Sequence, residues 1–326
     1  MDLTRLRIFV AVVDHGSFAA AADALAYTPS AVSQQIARLE AEAGVKLVER
    51  GGRGTTPTPA GVLLLRHARD ILERVAQARH ELDVLSGASA ERLRLGAFST
   101  AATAFAAAAL RDVRSSRPDL RAALRELEPF DAVAELRDGR IDAAVVYHRD
   151  RHDLGEDFRG RRVADPRGLT ASRLLSEPYV LALPPTHPLA SAPGLDATAL
   201  DGVPMVGNAE WPGLDTLTAR LAAAGASLRF DDLISHSYAT VLGLVAAGDG
   251  LALVPALAAL QADDTPVRFR LLPPDLTPTR AIDLLTVSGR TSDPLTALSA
   301  DLHQRAQHLT ARLTTFRRTL EHPDAA

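Results

Sequence analysis

Only three residues, 26–28, separate two short helical patterns near the N-terminus, and that spacing constrains the fold more than any other feature of the chain. A link so short forces the helices it joins to cross each other directly. The preceding pattern, Leu6, Phe9, Val10 and Val13, recurs at helical steps and ends at Gly16. Ser17 can cap the next helix, whose apolar face is Phe18, Ala22 and Leu25. Thr28 suits the N-cap of a third helix, and Pro29 suits its first position, where a missing N–H costs nothing. That helix buries Val32, Ile36 and Leu39, shows Ser30, Ser33, Gln34 and Arg38 on its other face, and stops at Gly44.

Two short helices across a tight turn fit a helix-turn-helix, whose second helix enters the major groove. Serine can donate to phosphates or base edges, and Gln34 can pair bidentately with adenine. Positive charge follows in Lys46, Arg50 and Arg53, around a short strand expected over Val45–Val48 and the loop Gly51-Gly52-Arg53-Gly54. This pattern suits a wing whose arginine reaches the DNA backbone or minor groove. Spacing alone leaves two readings open, because any helical hairpin has a polar face.

A resemblance decides between them. The stretches SFAAAADAL (17–25), SAVSQQIARLE (30–40), GVKLVER (44–50) and TPAG (58–61) resemble the DNA-binding region of LysR-type transcriptional regulators. The resemblance implies a DNA-facing surface at Thr28, Pro29, Ser30, Ser33 and Gln34, with Arg53 on the wing. Ser17, Arg38 and Arg50 are counted with them as DNA-binding residues. Pro29 stands where the family often has glutamine, and Gln34 where it often has arginine.

Residues 1–58 are thus expected to form a winged helix-turn-helix, and 59–87 a long linker helix capped by Thr58. In that helix Leu64, Ala68, Ile71, Val75, Ala78 and Leu82 recur at steps of four and three, a seam for a second copy or for the chain's own core. Arg69–Glu73, Asp70–Arg74 and Arg79–Asp83 are opposite charges one turn apart. The family uses this helix for dimerisation, which implies a homodimer and a tetramer built as a dimer of dimers. Ser86-Gly87-Ala88-Ser89 reads as a hinge.

Beyond residue 90 short β runs alternate with helices. Strands are expected at 93–98, 121–127, 141–147, 169–175, 179–183, 203–206, 251–254, 267–272 and 281–287, with helices at 101–114, 133–137, 214–224, 238–247 and 294–320. This rhythm suits a doubly wound α/β sheet, so the fold class is α/β behind an all-α N-terminus. The runs RLRLGAFSTAA, LRDGRIDAAVV, EPYVLALPPTHPLA and GLVAAGDGLALVP resemble LysR-type effector domains. That resemblance implies a two-lobed, periplasmic-binding-protein-like domain over 90–326, with lobe I at 90–163 and 267–326 and lobe II at 164–266.

A small-molecule effector is expected between the lobes at strand C-termini, where Ser99 and Thr100 open a helix. Ser99 reads equally as a plain N-cap. Tyr147 ends a strand beside His148, and Asn208, Trp211, His236 and Tyr238 follow strands of the second lobe. Trp211 can stack on a ligand or anchor the core. The expected effector is a carboxylate or an aromatic molecule.

The chain has no cysteine, which excludes disulfides, thiolate chemistry and cysteine-ligated zinc. Net charge is −4, so the whole molecule is no basic nucleic-acid binder. The ten histidines fall in no ligand spacing, so neither metal nor cofactor is expected. No GxSxG or nucleotide loop occurs, and an enzyme is not expected, though turnover of a small molecule would reveal one. A helical adaptor would bind no promoter DNA. The apolar run 241–260 is broken by Gly248-Asp249-Gly250 and Pro255, so no membrane span is expected. The N-terminus puts Asp2 where a leader needs basic residues, so a soluble bacterial cytoplasmic protein is expected, with promoter DNA and RNA polymerase as partners.

Overall fold

The computed structural model describes residues 1–51, 54–85, 92–149, 168–192, 194–207, 211, 213–231, 233–262 and 265–321. Two compact units result, one holding Met1–Ala90 and one built from Glu91–Leu136 and Ile141–Ala326.

In the first unit, local caps set the helices. Asp2 accepts from Thr4 N–H at 2.8 Å and opens α1 (Leu3–Asp14). Ser17 Oγ accepts from Ala20 N–H at 3.1 Å and opens α2 (Phe18–Leu25). Thr28 Oγ1 accepts from Ala31 N–H at 3.2 Å and opens α3 (Pro29–Ala43). Phe9, Val12, Ala21, Ala22, Val32, Ile36 and Leu39 meet in one buried core. Arg5 ties α1 to α3 by a hydrogen bond to Gln35 and an ion pair with Glu42.

The wing is the antiparallel pair β1 (Val48–Gly51) and β2 (Gly54–Pro57). It begins later than the expected strand at 45–48. Glu40 explains the delay: its carboxylate accepts from Leu47 N–H at 2.9 Å and Val48 N–H at 3.3 Å, and from Lys46 Nζ at 2.7 Å. Residues 45–47 are therefore a turn anchored on α3, and Lys46 pairs there with Glu40. Helix α4 (Pro59–Leu85) follows. Thr58 Oγ1 accepts from Gly61 N–H and donates to Lys46 O. A Cβ on Gly61 would sit 2.0 Å from Leu47 O, so only glycine lets α4 start this close.

The expected seam of α4 is divided. Ala68 is buried with Leu72 in the unit's own core and Leu64 packs against it, while Ile71, Ala78 and Leu82 are exposed and Val75 is half-buried. The inner face of α4 covers its own domain through 61, 65, 68 and 72, which pulls Ala68 out of a continuous intermolecular stripe. Arg69 of α4 ion-pairs with Asp14 of α1. The expected hinge at 86–89 lies outside the described residues.

The second unit begins with β3 (Arg92–Ala97), then α5 (Ser99–Ala101), a π turn at Ala102–Ala106, and α6 (Ala107–Ser115). β4 (Arg121–Glu126), α7 (Pro129–Arg137) and β5 (Ala143–Arg149) complete a parallel set in the order β4-β3-β5. β6 (Leu169–Leu183) leads into α8 (Ala197–Leu200), β7 (Pro204–Met205), α9 (Leu214–Ala223), β8 (Arg229–Phe230), α10 (Tyr238–Ala247), β9 (Ala252–Pro255) and α11 (Ala256–Ala259). The chain returns through β10 (Arg268–Arg270) and β11 (Thr279–Val287) to α12 (Asp293–Glu321).

One long strand replaces the two expected at 169–175 and 179–183. Residues 169–178 of β6 pair with β11, and 179–183 pair with β9 and β10. The pairing passes Ser176-Glu177-Pro178 because Arg280 stands opposite Glu177 in register and because a shift at Ile282/Asp283 absorbs the irregularity. β6 and β11 thus join two α/β lobes. Leu95, Phe105, Val145, Ile282, Leu284 and Leu298 pack the first. Leu181, Met205, Leu214, Leu217 and Leu253 pack the second. The expected lobe boundary at 163/164 falls outside the described residues.

Candidate functional site

The exposed tip of α3 carries Thr28, Pro29, Ser30, Gln34 and Arg38, while Ser33 is half-buried. The Thr28 and Ser30 hydroxyls lie 3.1 Å apart, so their orientation is shared. Tyr27, immediately before the helix, is 46% exposed. It follows Ala26, which takes a left-handed backbone at φ 56. An aromatic ring held beside a short polar helix face adds apolar contact to a surface whose other groups are hydrogen-bonding. Ser17 is used as a cap, and Arg53 and the loop tip at 52–53 lie outside the described residues.

The second site is at the C-terminal edge of the parallel strands, where α/β sheets bind ligands. β3 delivers Phe98, Ser99 and Thr100, the turn after β4 delivers Glu128, and β5 delivers Tyr147. At their centre is Arg280, 2% exposed. Its Nε and Nη2 lie 2.9 and 2.8 Å from Glu177 Oε1, and Nη2 donates to Thr100 Oγ1 at 2.8 Å. Glu177 Oε2 accepts from Leu257 N–H at 2.6 Å. The guanidinium carbon lies 4.9, 4.7 and 5.8 Å from the ring centroids of Phe98, Tyr147 and Tyr179, within cation–π range. Burial opposes the arginine's charge, but the adjacent Glu177 carboxylate outweighs it and holds the pKa above the ordinary value.

Three tyrosines feel the charge of this pair. Tyr147 donates to Glu128 Oε2 at 2.8 Å, and burial with the Glu128 charge raises its pKa well above the usual phenol value. Burial pushes Tyr238 up to about 12, against the opposing pull of Arg280. Tyr179 is buried beside Arg280, and burial raises its pKa against the opposing pull of that charge. All three are proton-bearing phenols at neutral pH. The π turn starts beside Thr100, and Thr103 within it donates to Gln261 Oε1 at 2.6 Å. Such turns are rare and occur frequently at functional sites.

Comparison with known proteins follows this geometry. Residues 3–62 match the family profile described as bacterial regulatory helix-turn-helix protein, lysR family, and residues 86–308 match the LysR substrate binding domain. The chain belongs to the LysR family. This LysR-type regulator is 33% identical over 258 residues to a probable hydrogen peroxide-inducible genes activator of Mycobacterium avium, covering 78% of this chain and 77% of the relative. It is 30% identical over 263 residues to the HTH-type transcriptional regulator AlsR of Bacillus subtilis, covering 79% and 82%. Among solved structures, an H2O2-bound cysteine-to-serine mutant of OxyR from Corynebacterium glutamicum matches with TM-score 0.53 and 26% identity over 97% of both chains. Full-length BenM matches with TM-score 0.51 and 25% identity over 94% of this chain and 97% of that one. The family is one of transcriptional regulators, not enzymes: a helix-turn-helix binds DNA and a substrate-binding domain takes an effector. The N-terminal helix-turn-helix and the two-lobed α/β effector domain are the architecture expected above.

Among the residues expected to hold the effector, Thr100 and Tyr147 meet around Arg280, and Tyr238 feels its charge. Ser99 is half-buried at the same strand end. Trp211 packs against both cores of the second lobe, with the exposed His236 ring 6.0 Å away. His148 points into a separate buried pair with Asp283 at 2.8 Å. Asn208 lies outside the described residues. Sequence reasoning missed Arg280, Glu177, Tyr179, Glu128 and Phe98. The available signal was an arginine alternating in step with Ile282 and Leu284 on an apolar strand. Among the described residues no helix is long and apolar enough to cross a membrane, and no three carboxylate or histidine side chains are grouped to hold a metal.

Proposed function

We propose that this regulator reads promoter DNA with Thr28, Pro29, Ser30, Ser33, Gln34 and Arg38 in the major groove, with Ser17, Arg50 and Arg53 supporting on the backbone side. In this reading residues 1–58 are the reading unit, 59–87 the dimerising helix and 90–326 the effector domain. Two copies pair through α4, where Val62, Leu63, Ile71 and Leu82 are exposed apolar side chains that a second copy would cover. Ala68 and Leu64 support that helix from the inner side. Two dimers assemble on neighbouring half-sites, contact RNA polymerase and act in the bacterial cytoplasm at the nucleoid.

The effector is a small molecule bound at Ser99, Thr100, Tyr147 and Tyr238, with Asn208, Trp211 and His236 on the second-lobe side. The observation that carries this reading is the buried Arg280–Glu177 pair ringed by Phe98, Tyr147 and Tyr179 at the strand ends. A buried ion pair costs desolvation and gives little net stability, so its retention there points to use. The effector biases one of two arrangements of the assembly, and a difference of about 1.4 kcal/mol shifts that balance tenfold. These residues include no cysteine, so any response to peroxide in this chain runs through no thiol.

Promoter binding by Gln34→Ala tests the first half. Loss of a bidentate base contact is expected to cost about 1–3 kcal/mol and to relax specificity at one base. Arg38→Ala is expected to weaken binding across sequences and flatten the salt dependence. Unchanged affinity in both variants would sink the assignment. Thr100→Val is expected to abolish the effector response while leaving promoter binding intact.

A further inference from the structure

We propose, resting on α3 as the reading helix, that Tyr27 is a further DNA contact: its hydroxyl donates to a backbone phosphate at the rim of the major groove, and its ring lies against the adjoining deoxyribose. The turn between α2 and α3 fixes where this side chain stands. Around the left-handed Ala26, Ala26 N–H bonds Asp23 O at 3.3 Å and Tyr27 N–H bonds Ala22 O at 2.9 Å. This pair of bonds is a common left-handed helix ending, and it ties the Tyr27 backbone to α2. Thr28 then caps α3. Tyr27 is held from both sides, one residue ahead of the cap, so presenting its ring costs little beyond two side-chain torsions.

Among the described residues the far end of this side chain has no structural use. The apolar contact that often accompanies such a turn would fall on Ala21 or Ala22. Those are methyl groups that an aliphatic side chain covers as well. Tyr27 is instead 46% exposed, and its hydroxyl bonds no described residue. Charge says what that hydroxyl meets. From Thr28 to Ala37 the helix has no arginine or lysine, and its first cation is Arg38, well along its length. The end of α3 that enters the groove therefore holds a polyanion with neutral donors. Thr28 Oγ1 and Ser30 Oγ lie 3.1 Å apart and partly satisfy each other, whereas the Tyr27 hydroxyl is uncommitted. A residue ahead of the cap stands beside the helix end, off the face that carries Ser33 and Gln34. It meets the wall of the groove, which is sugar and phosphate, before any base edge. A flat ring with a phenolic donor matches that wall.

The test uses the full chain and a duplex that it selects from a random pool. Tyr27→Phe is expected to leave thermal melting unchanged and to weaken binding about tenfold, the scale of a hydrogen bond to a charged group. The loss is expected to be the same on single-base variants of the duplex, because a phosphate carries no sequence information. The salt dependence of Tyr27→Phe is expected to stay parallel to that of the native chain, because a neutral hydroxyl releases no counterion, whereas Arg38→Ala flattens it. Tyr27→Ala is expected to lose more than Tyr27→Phe, through the ring. A loss that changes with the base sequence would overturn the phosphate contact in favour of base reading. A lower melting temperature in Tyr27→Phe with full affinity would make the tyrosine a packing residue and overturn it as well. Full affinity in both Tyr27 variants, while Gln34→Ala and Arg38→Ala weaken binding, would overturn the Tyr27 contact and leave the reading helix standing. Full affinity in all four variants would overturn both.

Discussion

The helix-turn-helix and the Arg280 cluster are built over different ranges of sequence. Ser17, Thr28 and Thr58 each cap a helix three residues ahead. Arg280 reaches Glu177 across 103 positions and Thr100 across 180. Local devices hold a rigid reading head whose shape needs little from elsewhere. The Arg280 cluster exists only once β6 and β11 have paired and brought distant segments together, so its geometry depends on how the lobes are joined.

The largest test breaks the distant assembly. Arg280→Ala strands Glu177 as a buried charge and is expected to destabilise the effector domain by about 3–5 kcal/mol. Replacing both, as Arg280→Met with Glu177→Leu, is expected to recover most of that loss. Urea unfolding followed separately for the two units checks it, with helix-turn-helix stability expected unchanged. A loss below about 1 kcal/mol, the scale of an exposed pair, would mean that the pair is not desolvated as described.

The local assembly is challenged by Gly61→Ala. The added methyl would lie 2.0 Å from Leu47 O, inside contact distance with backbone that cannot rotate away. A loss of about 2 kcal/mol is expected, the scale of overpacking, confined to the first unit. Glu40→Ala comes next. It leaves the buried Leu47 N–H without an acceptor, at about 1–2 kcal/mol. Burial alone would raise the Glu40 pKa, but the Lys46 hydrogen bond and the Leu47 and Val48 N–H groups outweigh it and hold it below the ordinary glutamate value. Because the folded pKa is the lower one, its stabilisation is fully present above about 4.5 and is lost as pH falls through the folded value. Thermal melts of the native chain should therefore fall more steeply below that pH than those of Glu40→Gln.

The same division governs what was legible beforehand. The caps at Ser17, Thr28 and Thr58 could be read because cap chemistry acts within one turn. The seven-residue reach from Glu40 to Leu47 could not, and the strand was placed three residues early. The α4 stripe leaves its partner open, since a single run of apolar residues does not say which part covers the chain's own core. Alternation at 169–175 and 179–183 was visible, but the continuity of β6 through Pro178 depends on its partner strand. Arg280 on an apolar strand reads as an outward-facing charge until Glu177 is found opposite it. The place of Tyr147 and Thr100 at strand ends is legible through a rule of topology rather than of pairing.

The smallest expected effect sharpens the comparison at the turn between α2 and α3. Ala26 has φ 56 and ψ 42, a left-handed backbone that favours glycine and disfavours a residue with a Cβ. Its N–H still bonds Ala22 O and Asp23 O, so the turn is held by the helix it ends. For a residue with a Cβ this conformation costs about 1–2 kcal/mol. Glycine would remove that cost but adds about 0.5–1 kcal/mol of unfolded-chain freedom. Ala26→Gly is therefore expected to stabilise the first unit by roughly 0.5 kcal/mol, the difference of those two terms. Ala26→Val is expected to destabilise it, because branching at Cβ worsens the same clash. Promoter affinity should be unchanged in Ala26→Gly if the reading head is rigid by its caps and core. A drop in affinity without a drop in stability would show that the alanine stiffens the angle between α2 and α3, so that the turn itself, and not the caps alone, aims α3 at the groove.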